Sequence, residues 1–205
     1  MNRRLALAAA PAAVLPLVTA YVVAERRHPK PMSPTWSFTL EGKARVKRAA
    51  ETLDDIGVKP GLEVLEIGCG PGVILGAAAQ RTTPGALHAV DVQPEMVARA
   101  TKRLLDRGIA DVDIRCADAA ALPHPDDAFE LVYMVTVIGE FPDPAAVLGE
   151  VRRVLRPDGV LAVTEEIFDP HYTRAPSVRR LCDAAGFRHL ETKPGLLQQT
   201  SRFSV

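Results

Sequence analysis

The stretch Val64-Leu65-Glu66-Ile67-Gly68-Cys69-Gly70-Pro71-Gly72 decides how this chain is read. A short apolar run suited to a buried strand ends in three glycines spaced two apart. Glycine lets backbone approach a ligand with no Cβ in the way, and the helix that follows offers N–H groups with no intrahelical partner. The nine residues therefore read as strand, ligand-binding loop and helix start.

Outward from the loop the pattern repeats. Upstream, Val46, Ala49, Ala50, Leu53 and Ile56 form one face of an entry helix that stops at Gly57. Downstream, a small-residue helix is expected from about Val73 to Gln80, a second strand over 85–92, a helix over 94–108 with Pro94 in its first turn, and a third strand over 111–118. A fourth strand is expected over 128–138, a helix over 143–159 stopped by Pro157 and Gly159, a fifth strand over 159–168 and a helix over 177–187. Two short strands close the chain, Arg188 to Lys193 and Gln198 to Val205. Alternation of helices with mostly continuous apolar strands predicts an open parallel sheet covered on both faces, whose ligands bind at the carboxyl ends of the strands. At 205 residues, 47% hydrophobic and 24% charged, the chain suits one domain with a sizeable core.

A lone GxG is a weak signal, and its context strengthens it. Glu66 precedes the loop, and the second strand ends in Asp91, about twenty residues on, where an acid can accept ribose hydroxyls. The dinucleotide fingerprint GxGxxG fits poorly, because its third glycine position holds Val73. On these residues the chain resembles the class I S-adenosylmethionine-dependent methyltransferases of the small-molecule, quinone-biosynthesis type. The likeness runs from Val58 to Phe168, more loosely to the end, and leaves out the N-terminus. It implies a three-layer Rossmann-like α/β fold on a mostly parallel seven-stranded sheet, here preceded by an N-terminal hydrophobic helix. It also implies S-adenosylmethionine as cofactor. Glu66, Gly68, Gly70 and Gly72 would line its methionine half, Asp91 with Val92 would hold the ribose, and Met96, Asp118 and Ala119 would meet the adenine. Each has a plainer reading beside it: Asp118 as a helix N-cap, Met96 as core, the glycines as turn residues. Two departures, Asp158 where a glycine is common and Glu130 where an aspartate is usual, fall in a turn and at a strand end.

Methyl transfer from a sulfonium is an in-line displacement, so the protein must chiefly hold the nucleophile against the methyl and exclude water. A base is needed only where the acceptor must lose a proton. The catalytic candidates are Glu140, after the fourth strand, and His171, after the fifth, with Thr136, Glu165, Glu166, Asp169 and Tyr172 at neighbouring strand ends. Both candidates read equally as ordinary loop residues. Cys69, Cys116 and Cys182 show no metal spacing, so no metal is expected, and Cys69 reads as a small packing residue. The expected partner is a small-molecule acceptor. Formal net charge is zero, which gives no footprint for nucleic acid. Nothing in the residues specifies an oligomeric state. An NAD-type oxidoreductase and a membrane-tethered cofactor-binding protein without catalysis stay open as other readings.

Charge is nonetheless uneven. Residues 1–48 hold nine Lys/Arg and two Asp/Glu, and the remainder is net acidic. The uncharged run Leu5 to Ala24 is long enough to cross a bilayer, at about 1.5 Å per helical residue. Basic residues after it keep the following domain in the cytoplasm by the positive-inside tendency. The division expected is 1–24 as a hydrophobic anchor helix, 25–41 as a linker and 42–205 as a methyltransferase domain at the cytoplasmic membrane. A signal cleaved after Ala24 and a soluble helix, with Met32 as an alternative start, are the rival readings. The segment Thr35 to Lys43, which holds the only Trp, is expected to cover the pocket or to meet the membrane.

Overall fold

The computed structural model describes residues 29–33 and 43–205, with the side chains of 43–47 left aside. The run Leu5 to Ala24 and most of the segment holding Trp36 lie outside the described residues. Among the described residues no helix is long and apolar enough to cross a membrane.

Helix α1 (Lys43–Ile56) leads into β1 (Val64–Ile67), α2 (Val73–Ala78), β2 (Leu87–Asp91), α3 (Pro94–Leu105), β3 (Asp113–Cys116) and β4 (Phe129–Val135). A 3₁₀ turn (Ile138–Glu140), α4 (Pro144–Val154), β5 (Leu155–Glu166), α5 (Ala175–Ala184), β6 (Arg188–Pro194) and β7 (Gln198–Ser204) complete the chain. Among the described residues, seven strands form one sheet in the order β3-β2-β1-β4-β5-β7-β6. All neighbouring pairs are parallel until β7, which runs antiparallel to both β5 and β6. Strand order reverses between β1 and β4, so the crevice that such a reversal opens lies at their carboxyl ends, beside the glycine loop. β1 and β4 are almost wholly buried, as central strands covered on both faces must be, whereas edge strand β3 is half exposed. Two apolar clusters fill the two faces. One gathers Val132, Met134, Val151 and Phe203, the other Leu53, Leu75, Leu104 and Tyr133.

Two boundaries depart clearly from the expected pattern. The helix predicted to run on to Pro157 stops at Val154, and Leu155 is already extended (φ −77°, ψ 138°) and paired with Phe129. Pro157 disfavours helix at Arg156, and Leu155, one residue earlier, gains a fully buried site by turning into the sheet. Arg156 to Gly159 then form an irregularity before the register resumes at Leu131 and Val160. The fourth strand is also shorter than expected, because Thr136 adopts φ +57°, a left-handed conformation that ends extended structure.

Candidate functional site

The carboxyl ends of β1, β2 and β4 meet at two adjoining cavities, a narrow one of about 50 Å³ and a wider one of about 230 Å³. Gly68, Asp91, Gln93, Val137 and Glu140 line both. Asp91 is the pivot. It is 7% exposed, and each carboxylate oxygen accepts one backbone N–H, Oδ2 from Gly70 and Oδ1 from Gln93, both at 2.9 Å. The carboxylate thus fastens the glycine loop to the start of α3 and keeps lone pairs for a ligand. Burial raises its pKa above the usual aspartate value, partly offset by these two donors.

The three glycines do different work. Gly68 (φ +71°) leaves no room for a Cβ, which would sit 2.6 Å from Val137 Cγ1 in the cavity wall. Gly70 (φ +51°) turns its N–H toward Asp91. Gly72, expected to touch the cofactor, lines neither cavity. A Cβ there would lie 2.9 Å from Ala100 Cα, so this glycine lets α3 close against the loop, where Arg103 Nε also donates to Pro71 O at 2.7 Å.

Glu66 is 2% exposed and lines the narrow cavity, where Tyr133 donates its hydroxyl to Oε2 at 2.7 Å. Tyr133 carries no signal in a strand that reads as apolar. Only the register, which pairs Glu66 with Tyr133 across β1 and β4, exposes it. Burial, then the Glu66 charge, pushes the tyrosine pKa well up, so the phenol stays a donor. Cys69 also lines this cavity, with its thiol pushed well up by burial and then by Glu66 and Asp91. A thiol kept protonated is no nucleophile, in line with its reading as a packing residue.

Met96 is buried and lines the narrow cavity, while Val92, Asp118 and Ala119 line the wider one. Asp118 also spends one oxygen locally, accepting Ala120 N–H at 2.9 Å in an Asx-type turn. The short segment at 29–33 bridges the mouth. Met32 N–H donates to Glu140 Oε2 at 3.2 Å, Gln93 Nε2 donates to Met32 O at 2.9 Å, and Pro31 and Met32 each line a cavity. The stretch falls in the expected linker 25–41, and neither it nor Gln93 carries a sequence signal for the site.

The catalytic candidates separate. Glu140 is in both cavity walls, beside Thr136 in the narrow one. His171 lines neither. Its carbonyl packs against Gly139, where a Cβ would stand, and its N–H donates to Asp169 Oδ1 at 2.7 Å. Next to it, at the end of β5, Glu165 is 2% exposed and accepts Thr173 N–H through Oε2 at 2.7 Å. Its pKa is pushed up to about 8, first by burial and further by the charges of Asp169, Glu140 and Glu166. A carboxyl group held largely neutral near pH 7 thus lies within electrostatic reach of Glu140.

Compared with known proteins, residues 64–159 match the family described as "Methyltransferase domain". The chain is 33% identical over 123 residues to the nocamycin O-methyltransferase of Saccharothrix syringae, covering 60% of this chain and 44% of that protein. It is 33% identical over 124 residues to the ubiquinone/menaquinone biosynthesis C-methyltransferase UbiE of Burkholderia cenocepacia, covering 59% of this chain and 51% of that protein. The matched region therefore spans about half the length of either relative. Among solved structures, a SAM-dependent methyltransferase from Aquifex aeolicus superimposes with a TM-score of 0.76 at 23% identity, covering 84% of this chain and 98% of the other. The likeness to class I methyltransferases drawn from the glycine loop extends to the sequence family and to the fold.

Proposed function

We propose, starting from residues 64–159 as a methyltransferase domain that uses S-adenosylmethionine, that the whole chain transfers a methyl group to a small, lipid-soluble acceptor. The observation that carries the first half is the cavity itself, where a buried Asp91 carboxylate and a glycine loop converge at the strand-order reversal. Asp91 would hold the ribose hydroxyls, Met96, Asp118 and Ala119 the adenine end, and Glu66 with Gly68 and Gly70 the amino-acid end. When bound, the cofactor supplies an electrophilic methyl on a sulfonium. The protein's part is to orient the acceptor against it and keep water out. Glu140 stands where an acceptor would enter and, in that position, can take a proton from a hydroxyl or an enolisable carbon.

For the second half, the carboxyl-end side of the sheet, on which the cavities open, carries exposed apolar side chains beyond β5 and between β6 and β7. Phe168 (80% exposed) and Ile167 follow β5, Leu196 (91% exposed) sits in the β6–β7 turn, and Ile167 N–H donates to Leu197 O at 3.0 Å, which joins the two loops. Apolar surface of this kind next to a site suits an apolar acceptor or a lipid surface. The names of the two relatives, one methylating oxygen and one carbon, both concern small organic molecules. The run Leu5 to Ala24 would tether a domain of residues 42–205 to the cytoplasmic membrane, where lipid-soluble acceptors are concentrated.

Calorimetry with S-adenosylmethionine tests the first half. The full chain should bind, and Asp91→Ala should lose roughly 2 to 3 kcal/mol, or about 30- to 150-fold in affinity. Unchanged affinity in the variant refutes the assignment. For the second half, transfer of labelled methyl to a quinone-like acceptor in anionic vesicles should exceed transfer to a water-soluble phenol. Activity confined to the water-soluble acceptor removes the lipid argument.

A further inference from the structure

At the amino ends of β2 and β3, away from the cavities, three side chains from three separate parts of the chain converge. His88 near the start of β2 pairs in register with Asp113 at the start of β3, and His124 arrives from the loop between β3 and β4. One ligand-capable atom from each lies within 4.8 Å of the others. We propose that His88, Asp113 and His124 form a binding site for a divalent transition-metal ion of the zinc class.

Four features support the assignment. His88 Nδ1 and Asp113 Oδ2 are 3.3 Å apart, and two ligands about 2.0 to 2.1 Å from a tetrahedral zinc are separated by about 3.3 to 3.4 Å. The other nitrogen of His88, Nε2, faces Glu63 Oε2 at 3.7 Å. A carboxylate behind a ligating imidazole fixes its tautomer and orientation, which is the usual outer arrangement of metal-bound histidine. His124 is only 7% exposed, and neither of its ring nitrogens has a hydrogen-bond partner among the described residues. Buried imidazole nitrogens without a partner are uncommon, and a metal ion satisfies one directly. Finally, the loop that carries His124 is held in place: Arg115 Nη1 donates to Pro123 O at 2.8 Å, Arg153 Nη1 to His124 O at 2.8 Å and Arg153 Nη2 to Leu122 O at 3.1 Å.

Two imidazoles and one carboxylate suit zinc and its neighbours better than calcium or magnesium, which prefer oxygen. Arg115 also contacts Asp113, with Nη2 and Nε donating to Oδ2 at 2.6 and 2.9 Å and Nε to Oδ1 at 3.1 Å, so binding an ion displaces the guanidinium from Oδ2. The ion takes over Oδ2, and the guanidinium keeps Oδ1. The fourth position falls to water, since Asp113 and His88 are both partly open to solvent. The spacing 88, 113, 124 has no sequence signature, which is why a reading based on Cys and His spacing expected no metal. The ion would pin the β3–β4 loop, whose other end carries Asp118 and Ala119.

The test uses the full chain, stripped with a chelator, with Zn²⁺ alone as the titrant and Co²⁺ as its spectroscopic stand-in. One equivalent of Zn²⁺ should bind and raise the melting temperature, and Co²⁺ should give a tetrahedral visible spectrum with no thiolate charge-transfer band. His88→Ala and His124→Ala should each weaken Zn²⁺ binding at least 100-fold, and Glu63→Gln by about 10- to 100-fold, with S-adenosylmethionine binding retained. If His124→Ala does not fold, Asp113→Asn, at a half-exposed position, gives the same reading. No stoichiometric binding, binding indifferent to these substitutions, or a thiolate band from the cysteines overturns the proposal.

Discussion

Replacing Glu165 by glutamine should make the protein more stable in alkali and leave it nearly unchanged in mild acid. The folded carboxyl is pushed up to about 8 from an ordinary 4.5, chiefly by burial at the end of β5. One oxygen accepts Thr173 N–H, while Oε1 has no hydrogen-bond partner among the described residues. The sign follows from proton counting. Between pH 4.5 and 8 the unfolded glutamate is ionised and the folded one is not, so folding takes up a proton and stability falls as pH rises. The contribution is complete below the unfolded pKa and lost once pH passes the folded one. At about 1.36 kcal/mol per pH unit, the gap amounts to about 3 to 5 kcal/mol by pH 8.5. Glutamine keeps an acceptor for Thr173 and carries no charge to desolvate. Urea unfolding of the wild type and Glu165→Gln from pH 5 to pH 9 should therefore give stabilities that agree within about 1 kcal/mol at pH 5, diverge up to about pH 8 and hold a constant gap above it. Parallel curves over the whole range would show that Glu165 is ionised in the folded protein and that its setting is more polar than the geometry implies.

Gly68→Ala and Gly72→Ala make a matched pair. Each places a Cβ at positive φ and within 3 Å of a neighbour, and each should cost about 2 to 4 kcal/mol in denaturant. Only Gly68→Ala, which pushes on Val137 in the cavity wall, should also weaken S-adenosylmethionine binding by more than the stability loss explains. Equal calorimetric effects from both would contradict the division of labour between the two glycines. Tyr133→Phe should cost about 2 to 3 kcal/mol, because it leaves the buried Glu66 carboxylate short of its 2.7 Å donor. A cost below 1 kcal/mol would mean that the bond adds little.

Much of this architecture is legible because its signals are local. The strand-helix alternation follows from periodicity, and Glu66, Gly68, Gly70 and Asp91 stand out because an acid and bare backbone at strand ends have few plain explanations. The rest depends on contacts between distant parts of the chain. Gly72 looks the same in sequence as Gly68, yet one faces Ala100 on a helix and the other Val137 after β4. Tyr133 is chemically important only because parallel pairing sets it opposite Glu66. His171 and Glu140 follow strand ends in the same way, and only packing of the His171 backbone onto Gly139 separates them. The early end of α4 turns on one buried leucine competing with helix continuation.

The strap at 29–33 changes how the membrane question must be asked. A form starting at Met32 is the natural soluble truncation if the apolar run is an anchor, and on the sequence alone it separates tether from catalysis. In the structure it does not. Met32 N–H is an amide donor 3.2 Å from Glu140 Oε2, and Pro31 lines the wider cavity. Starting the chain at Met32 converts that amide into an ammonium beside a carboxylate and removes Pro31 from the wall. The truncation then alters the site and the tether together. A start at Glu25 removes the run Leu5 to Ala24 and leaves the strap whole. The Glu25 form should bind S-adenosylmethionine as the full chain does while leaving the membrane fraction, and the Met32 form should differ from both in cofactor affinity by at least threefold. The direction of that difference reports whether the strap holds the cofactor in or keeps it out. Identical affinities in all three forms would show that the two hydrogen bonds to Met32 have no part in binding.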